Sequence, residues 1–140
     1  MIREIQQNDF RKGYMFLLSN FTMIGNIKEN DFNNQLNMIQ NNPNHKIYVL
    51  EENNRIIGTI TVIIEPKLIH NLNRVAHIED LIIDNNYKNK GYGSLLLNNC
   101  IEYAKHRKCY KVILNCDEEI TSFYERNGFH KKNNQMAIYF

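Results

Sequence analysis

The sequence has no tryptophan, only two prolines and six glycines, and no apolar run long enough to cross a bilayer. Its mean hydropathy of −0.51 agrees, and a membrane-spanning class is excluded. An excess of one charge is also missing. Seventeen Lys and Arg against fifteen Asp and Glu leave a net +2, without the basic surplus that neutralising nucleic-acid phosphates demands. Three cysteines, Cys100, Cys109 and Cys116, are an odd number whose spacing fits neither a zinc knuckle nor a redox pair, so they read as free thiols and no metal is implied. Met1 to Phe10 lack the basic segment and apolar core of a secretory signal, which makes the cytoplasm the expected location. No repeat, Pro-rich linker or block of like charge divides the chain. What is there is 140 residues with 43% hydrophobic and 11% aromatic side chains, enough to bury one core, so a single domain over 1–140 is expected. Asparagine is abundant, 23 in all and often paired, so an isolated Asn carries little information here.

Periodicity predicts an α/β domain with a mixed sheet. Met1 to Gln6 alternates like an edge strand, and Asn8 or Asp9 can cap a helix carrying Phe10, Tyr14, Leu17 and Leu18 on one face. A second helix is expected over Glu29 to Gln40, stopping before Pro43. Ile47, Val49 and the run Ile56 to Ile64 read as two antiparallel strands joined by the turn Glu52-Asn53-Asn54-Arg55. Lys67 to Arg74 has no apolar period and reads as a loop, and Val75 to Asp84 as a further strand. A helix over Gly91 to His106 places Leu95, Leu96, Cys100, Tyr103 and Ala104 on one face, and Lys111 to Asn115 returns to an apolar strand. A short helix over Glu118 to Arg126, closed by Asn127-Gly128, and a last strand over Gln135 to Phe140 complete the prediction.

The most specific local pattern is Tyr87-Lys88-Asn89-Lys90-Gly91-Tyr92-Gly93-Ser94, set between a strand and an amphipathic helix. Glycines at 91 and 93 let backbone approach a bulky anion, and the first helical amides point outward unpaired at the positive end of the helix dipole. That combination suits a pyrophosphate. Leu96 stands where a dinucleotide fingerprint needs its third glycine, and no Gly-Lys-Ser or Gly-Lys-Thr is present, so neither nucleotide motif applies. The same residues also read as a glycine-relieved turn with solvated lysines.

The order of Lys88, Gly91 and Gly93 at a helix start resembles the acetyl-coenzyme A loop of the GCN5-related N-acetyltransferase (GNAT) superfamily, where Arg or Gln usually stands first. Ser122 to Phe129 is similar to that superfamily's other hallmark, a helix bearing a tyrosine followed by a Gly-Phe turn. Four further stretches, Lys67 to His70, His77 to Leu81, Cys109 to Cys116 and Phe123 to Glu125, resemble the glucosamine-6-phosphate N-acetyltransferase family over nearly the whole chain. The resemblance implies an α/β fold with a mixed central sheet, splayed in the middle and flanked by helices. It implies an enzyme that moves an acetyl group from acetyl-CoA to the 2-amino group of glucosamine 6-phosphate by direct attack in a ternary complex, for UDP-N-acetylglucosamine synthesis. A homodimer follows from the same resemblance, while the charge balance and hydropathy already lead to the expectation of no nucleic acid or membrane partner.

Site residues carry over by position. The backbone of Leu81, Ile82 and Ile83, where the central strand splays, is implied to bind the cofactor and stabilise the thioester oxygen, and Lys88, Asn89, Lys90, Gly91, Tyr92, Gly93 and Ser94 to hold the pyrophosphate. Tyr124 is implied as the acid for the departing thiolate, a role its phenol suits at neutral pH. Thr22, Lys67, Leu68, Ile69, His70, Glu79 and Asp80 match substrate-binding positions, while Tyr110 and Lys111 match a pair the family presents from the neighbouring subunit. Acids suit an ammonium and sugar hydroxyls; lysines and His70 suit a phosphate. Glu79 and Asp80, adjacent in an apolar strand, are expected to face opposite sides, so that one needs a partner. His77 reads as a satisfied strand histidine, and Cys116 as a small buried residue rather than a nucleophile.

Two positions depart from the family pattern. Asn115 stands where an acid is usual, and an amide accepts a hydrogen bond but takes no proton; Tyr139 stands where an arginine would meet the sugar phosphate. Two alternatives therefore accompany the leading reading: an acetyltransferase for another small amine or amino sugar, and a non-catalytic acetyl-CoA-binding protein.

Overall fold

A computed structural model describes all residues, 1–140. Strand β1 (Ile2–Glu4) forms one edge of a five-stranded sheet whose strands lie side by side in chain order. β2 (His45–Glu52) and β3 (Arg55–Pro66) make the expected hairpin. Its two turn residues, Asn53 and Asn54, adopt φ of 50° and 60°, the left-handed pair that lets a tight turn follow the twist of its strands and that asparagine tolerates. β4 (Arg74–Ile83) runs antiparallel to β3, and β5 (Cys109–Ile113) runs parallel to β4 after a crossover through the central helix, Tyr92–His106. The sheet is mixed, as the sequence predicts.

Helices cover both faces, which is why β3 is a continuous apolar run rather than an alternating one. On one face Ile57, Ile60, Val62, Ala76 and Ile78 share a core with Leu96, Leu97, Cys100 and Ala104 of the central helix and with Tyr124. On the other, Val49, Ile56 and Ile82 pack with Tyr14 and Leu17 of α1 (Tyr14–Ser19) and Phe32 and Leu36 of α2 (Glu29–Gln40). No helix is long and apolar enough to cross a membrane.

The structure corrects the sequence reading at four places. The N-terminal helix is broken: a 3-10 turn over Gln7–Phe10 precedes α1, and Gly13 (φ 85°) separates them. Asp9 does not cap α1; its fully buried carboxylate accepts from the Gln6 N–H (2.8 Å) and from both Nη atoms of Arg3 (2.8 and 2.7 Å). In the central helix Leu95 is half exposed and Leu97 takes its place in the core. Within Lys67 to Arg74 lies a compact turn in which His70, Asn71 and Leu72 are left-handed in succession (φ 52°, 58° and 59°). Finally, Gln135 to Phe140 forms no strand, and Met136, Ile138 and Tyr139 are exposed. Apolar character is a local property, but a strand needs a paired neighbour, and the outer edge of β5 stays unpaired in this chain.

Candidate active site

The centre of the site is an irregularity in β4. Pairing with β3 runs Thr61↔Glu79 and resumes at Thr59↔Ile82, so Asp80 and Leu81 together oppose Ile60. This is a bulge, with Asp80 at φ 51°. On the other side, pairing with β5 ends at His77↔Ile113. Beyond that pair the two strands part, leaving the far half of β4 without a strand on its β5 side. A cleft of about 230 Å³ opens there, lined among others by Glu79, Asp80, Leu81, Asn115, Cys116 and Tyr124.

The chemistry of the lining follows from the bulge. Glu79 and Asp80 are both exposed and make no ion pair within the chain, against the expectation that one needs a partner. Left-handed backbone at Asp80 interrupts the alternation, and both residues line the cleft. Asn115 and Cys116 follow the end of β5 and are exposed, so Cys116 is not the buried residue expected. Tyr124, on the short helix Thr121–Arg126, is 8% exposed and packs edge-on against Phe123 and Phe129 (centroids 4.9 and 5.9 Å). Burial, then the nearby Cys116, pushes its phenol above the usual value, so it keeps its proton at neutral pH. By contrast, burial drives the core thiol of Cys100 up to about 12 and leaves it inert.

The glycine loop leads from β4 into the central helix. Asp84 is buried at its start; Lys88, Asn89, Lys90 and Gly91 are exposed, with Asn89 at φ 61° and Gly91 at φ 82° as the helix N-cap. Tyr92, Gly93 and Ser94 begin the helix and present its first amides. The two glycines serve different ends. A Cβ on Gly91 meets no atom within 4 Å, so glycine is needed there for its φ, while a Cβ on Gly93 would lie 3.2 Å from the Phe123 ring. Gly93 therefore lets the central helix approach the helix that carries Tyr124, a role that sequence spacing does not reveal.

The remaining expected site residues sit elsewhere. Lys67 donates from Nζ to Glu65 Oε2 (2.9 Å), and His77 Nε2 meets Glu65 Oε1 (2.9 Å), the strand partner expected of it. Lys67 and then His77 hold the Glu65 carboxyl below its usual range. The His70 ring stacks on Tyr110 (4.6 Å between centroids), over which Lys111 Nζ lies at 5.4 Å. Leu68 and Ile69 are exposed beside them. This group surrounds the start of β4, where Arg74 pairs with Cys109, and Asp80 is about 20 Å farther along the strand at ~3.3 Å per residue. Thr22 is exposed in the segment after α1, and its neighbour Phe21 lines the cleft. One chain thus brings together Glu79, Asp80, Leu81, Asn115 and Tyr124, and holds Lys67 to His70 with Tyr110 and Lys111 as a second cluster. Phe21, in the turn after α1, and Ile120, at the end of a three-residue 3-10 segment (Glu118–Ile120), also line the cleft; segments this short carry too little periodicity to show which way they face.

The sequence model of the acetyltransferase (GNAT) family matches residues 2–129. The chain belongs to this acetyltransferase family. Its mixed sheet and flanking helices are the GNAT fold that the sequence motifs imply. Glucosamine 6-phosphate N-acetyltransferase of Arabidopsis thaliana is 34% identical to it over 99% of this chain and 95% of that protein. Glucosamine 6-phosphate N-acetyltransferase 1 of Dictyostelium discoideum is 32% identical over 98% of this chain and 88% of its own length. The crystal structure of the Arabidopsis enzyme superposes with a TM-score of 0.97, covering 100% of this chain and 97% of that one. In GNAT terms, the bulge of β4 is the splay of the central strand.

Proposed function

We propose that residues 1–140 form one acetyltransferase domain that moves the acetyl group of acetyl-CoA to the 2-amino group of glucosamine 6-phosphate. The observation that carries this reading is near-full-length similarity to the Arabidopsis glucosamine 6-phosphate N-acetyltransferase, at 34% identity. Loop 88–94 fits a pyrophosphate through its left-handed Gly91, exposed backbone and the unpaired amides of a 15-residue helix. The backbone at Leu81 to Ile83, beside the gap between β4 and β5, supports the thioester oxygen as charge develops. Glu79 and Asp80 accept hydrogen bonds from the amine and the sugar hydroxyls. Asn115 orients the amine, which binds from solution as the free base; its nitrogen bonds the acetyl carbon, the C–S bond breaks, and the surplus proton on nitrogen passes to water. Tyr124 delivers a proton to the departing sulfur. A thiol-release assay over a panel of amines tests the reading: glucosamine 6-phosphate is expected to be preferred, and preference for another amine, or binding without release, overturns it.

Phosphate selection falls to the second cluster. Lys67→Ala is expected to lower kcat/KM about tenfold for glucosamine 6-phosphate and hardly at all for glucosamine, because one charged hydrogen bond is worth about 1.5–3 kcal/mol. The low end applies, since Lys67 must first leave Glu65. Equal losses for both sugars would mark a structural lysine.

This reading makes the enzyme a homodimer. A second copy can present Tyr110 and Lys111 to a cleft they do not reach in their own chain, and the His70 stack carries Lys67 to His70 with them. The exposed apolar residues Met136, Ile138 and Phe140 recur at every second position in a segment that has no strand partner here. Sedimentation is expected to give twice the chain mass of 16.7 kDa, and deletion of 135–140 a smaller, poorly active species. A fully active species of one chain mass would refute the dimer.

A further inference from the structure

The turn of the β2–β3 hairpin touches both ends of the glycine loop. Glu52 and Arg55 are the last cross-strand pair of the hairpin, directly opposite and of opposite charge, a placement that usually joins such side chains to each other. They make no bond to one another. Arg55 instead donates from Nη2 to Asp84 Oδ2 (2.8 Å), and Glu52 Oε1 accepts from the Tyr92 hydroxyl (3.2 Å). Asp84 is the residue at which β4 turns into the loop, and Tyr92 is the first residue of the central helix at which the loop ends.

The Asp84 carboxylate is 2% exposed and fully engaged. Its Oδ1 accepts the Asn86 N–H (2.9 Å), its backbone carbonyl accepts from the Tyr87 N–H (2.8 Å), and its own N–H donates to the Ile57 carbonyl (2.8 Å). Arg55 is the one cation on this buried charge, and its guanidinium is steadied over the Phe16 ring at 5.6 Å. Removing a partner from a buried charge costs far more than breaking an exposed pair, because the stranded charge stays desolvated.

We propose that the β2–β3 turn is a clamp that holds the glycine loop at both ends, Arg55 on Asp84 and Glu52 on Tyr92, and thereby sets acetyl-CoA affinity without touching acetyl-CoA. Arg55 and Glu52 are positioning residues. The proposal rests on the assignment of residues 88–94 to the pyrophosphate. It explains why the two opposite charges at the hairpin turn look outward to the loop rather than to each other. With both tethers in place, the amides that face the phosphates are ordered before binding, so less conformational freedom is lost when acetyl-CoA arrives.

Calorimetric titration of the full chain with acetyl-CoA, paired with steady-state kinetics, tests the clamp. Arg55→Ala is expected to raise the acetyl-CoA Kd about five- to tenfold and Glu52→Ala about two- to threefold, in line with a charged and a weaker hydrogen bond. In both, kcat and the KM for the amine stay near the parent values, which a loss of folded enzyme would not reproduce. Arg55→Lys restores charge and recovers part of the affinity. Asp84→Asn placed on Arg55→Ala also recovers part, because an amide still accepts the Asn86 N–H and no longer strands a charge. Gly91→Val is the control. If it raises Kd while neither hairpin variant does, the clamp is wrong; if Gly91→Val leaves Kd unchanged, the loop assignment falls and takes the clamp with it.

Discussion

Tyr124→Phe is expected to lower kcat about a hundredfold while leaving the acetyl-CoA Kd and the KM for the amine nearly unchanged. General acid assistance contributes on the order of 10²–10⁴ in rate, and the lower end applies because a thiolate departs readily even without help. The ring stays. It packs against Phe123 and Phe129 within the main core, so the fold loses a hydroxyl and no apolar area. The effect falls on kcat because negative charge gathers on sulfur only as the bond breaks. Burial raises the phenol pKa, so the parent enzyme retains its proton donor through neutral pH and loses it only above the ordinary tyrosine value of about 10. Pre-steady-state measurement of thiol release isolates the chemical step. An unchanged rate in that step would remove Tyr124 from the mechanism and leave solvent as the proton source.

Gly91→Val is expected to weaken acetyl-CoA binding about 10- to 100-fold with the chain still folded. Gly91 sits at φ 82°, where an L-residue carries a penalty of roughly 1–2 kcal/mol and a β-branched one more. Nothing in the protein lies within 4 Å of the added Cβ, so the penalty is relieved by moving the exposed loop backbone rather than by disturbing the core. Moving that backbone displaces the amides at the head of the central helix, and those amides are what an anion meets. Gly93→Val makes a poorer test. Its Cβ would press on the Phe123 ring at 3.2 Å, so stability and the position of Tyr124 would change together with the loop. Calorimetry with acetyl-CoA on Gly91→Val, checked by thermal melting, separates the two effects; unaltered affinity in a folded variant would dissociate the loop from the cofactor.

Sequence by itself determined the elements whose signals are local. Asn53-Asn54 between β-branched runs specified the hairpin, because only a few residue types tolerate the left-handed turn. The 3.6-residue repeat of Leu96, Cys100 and Ala104 specified the central helix, and Gly91 with Gly93 marked its start. Together with Tyr124 ahead of Gly128-Phe129, these residues carried the family resemblance and most of the expected fold.

Tertiary structure alone decided what depends on a neighbour. The bulge at Asp80 and Leu81 exists because β3 offers one residue, Ile60, against two, and no pattern within β4 records that count. It turned two acids expected on opposite faces into joint lining of one cleft. Gln135 to Phe140 is apolar enough to be expected as a strand, yet forms none, because a strand exists only where it pairs and this segment pairs with no edge of the sheet, the free edge of β5 included. The division of the expected substrate residues into two clusters was equally hidden, since β4 and β5 run parallel and carry Tyr110 to one end while Asn115 reaches the other. Residue types were legible because chemistry belongs to single side chains. Their grouping was not, because it is set by strand register and by where two strands part.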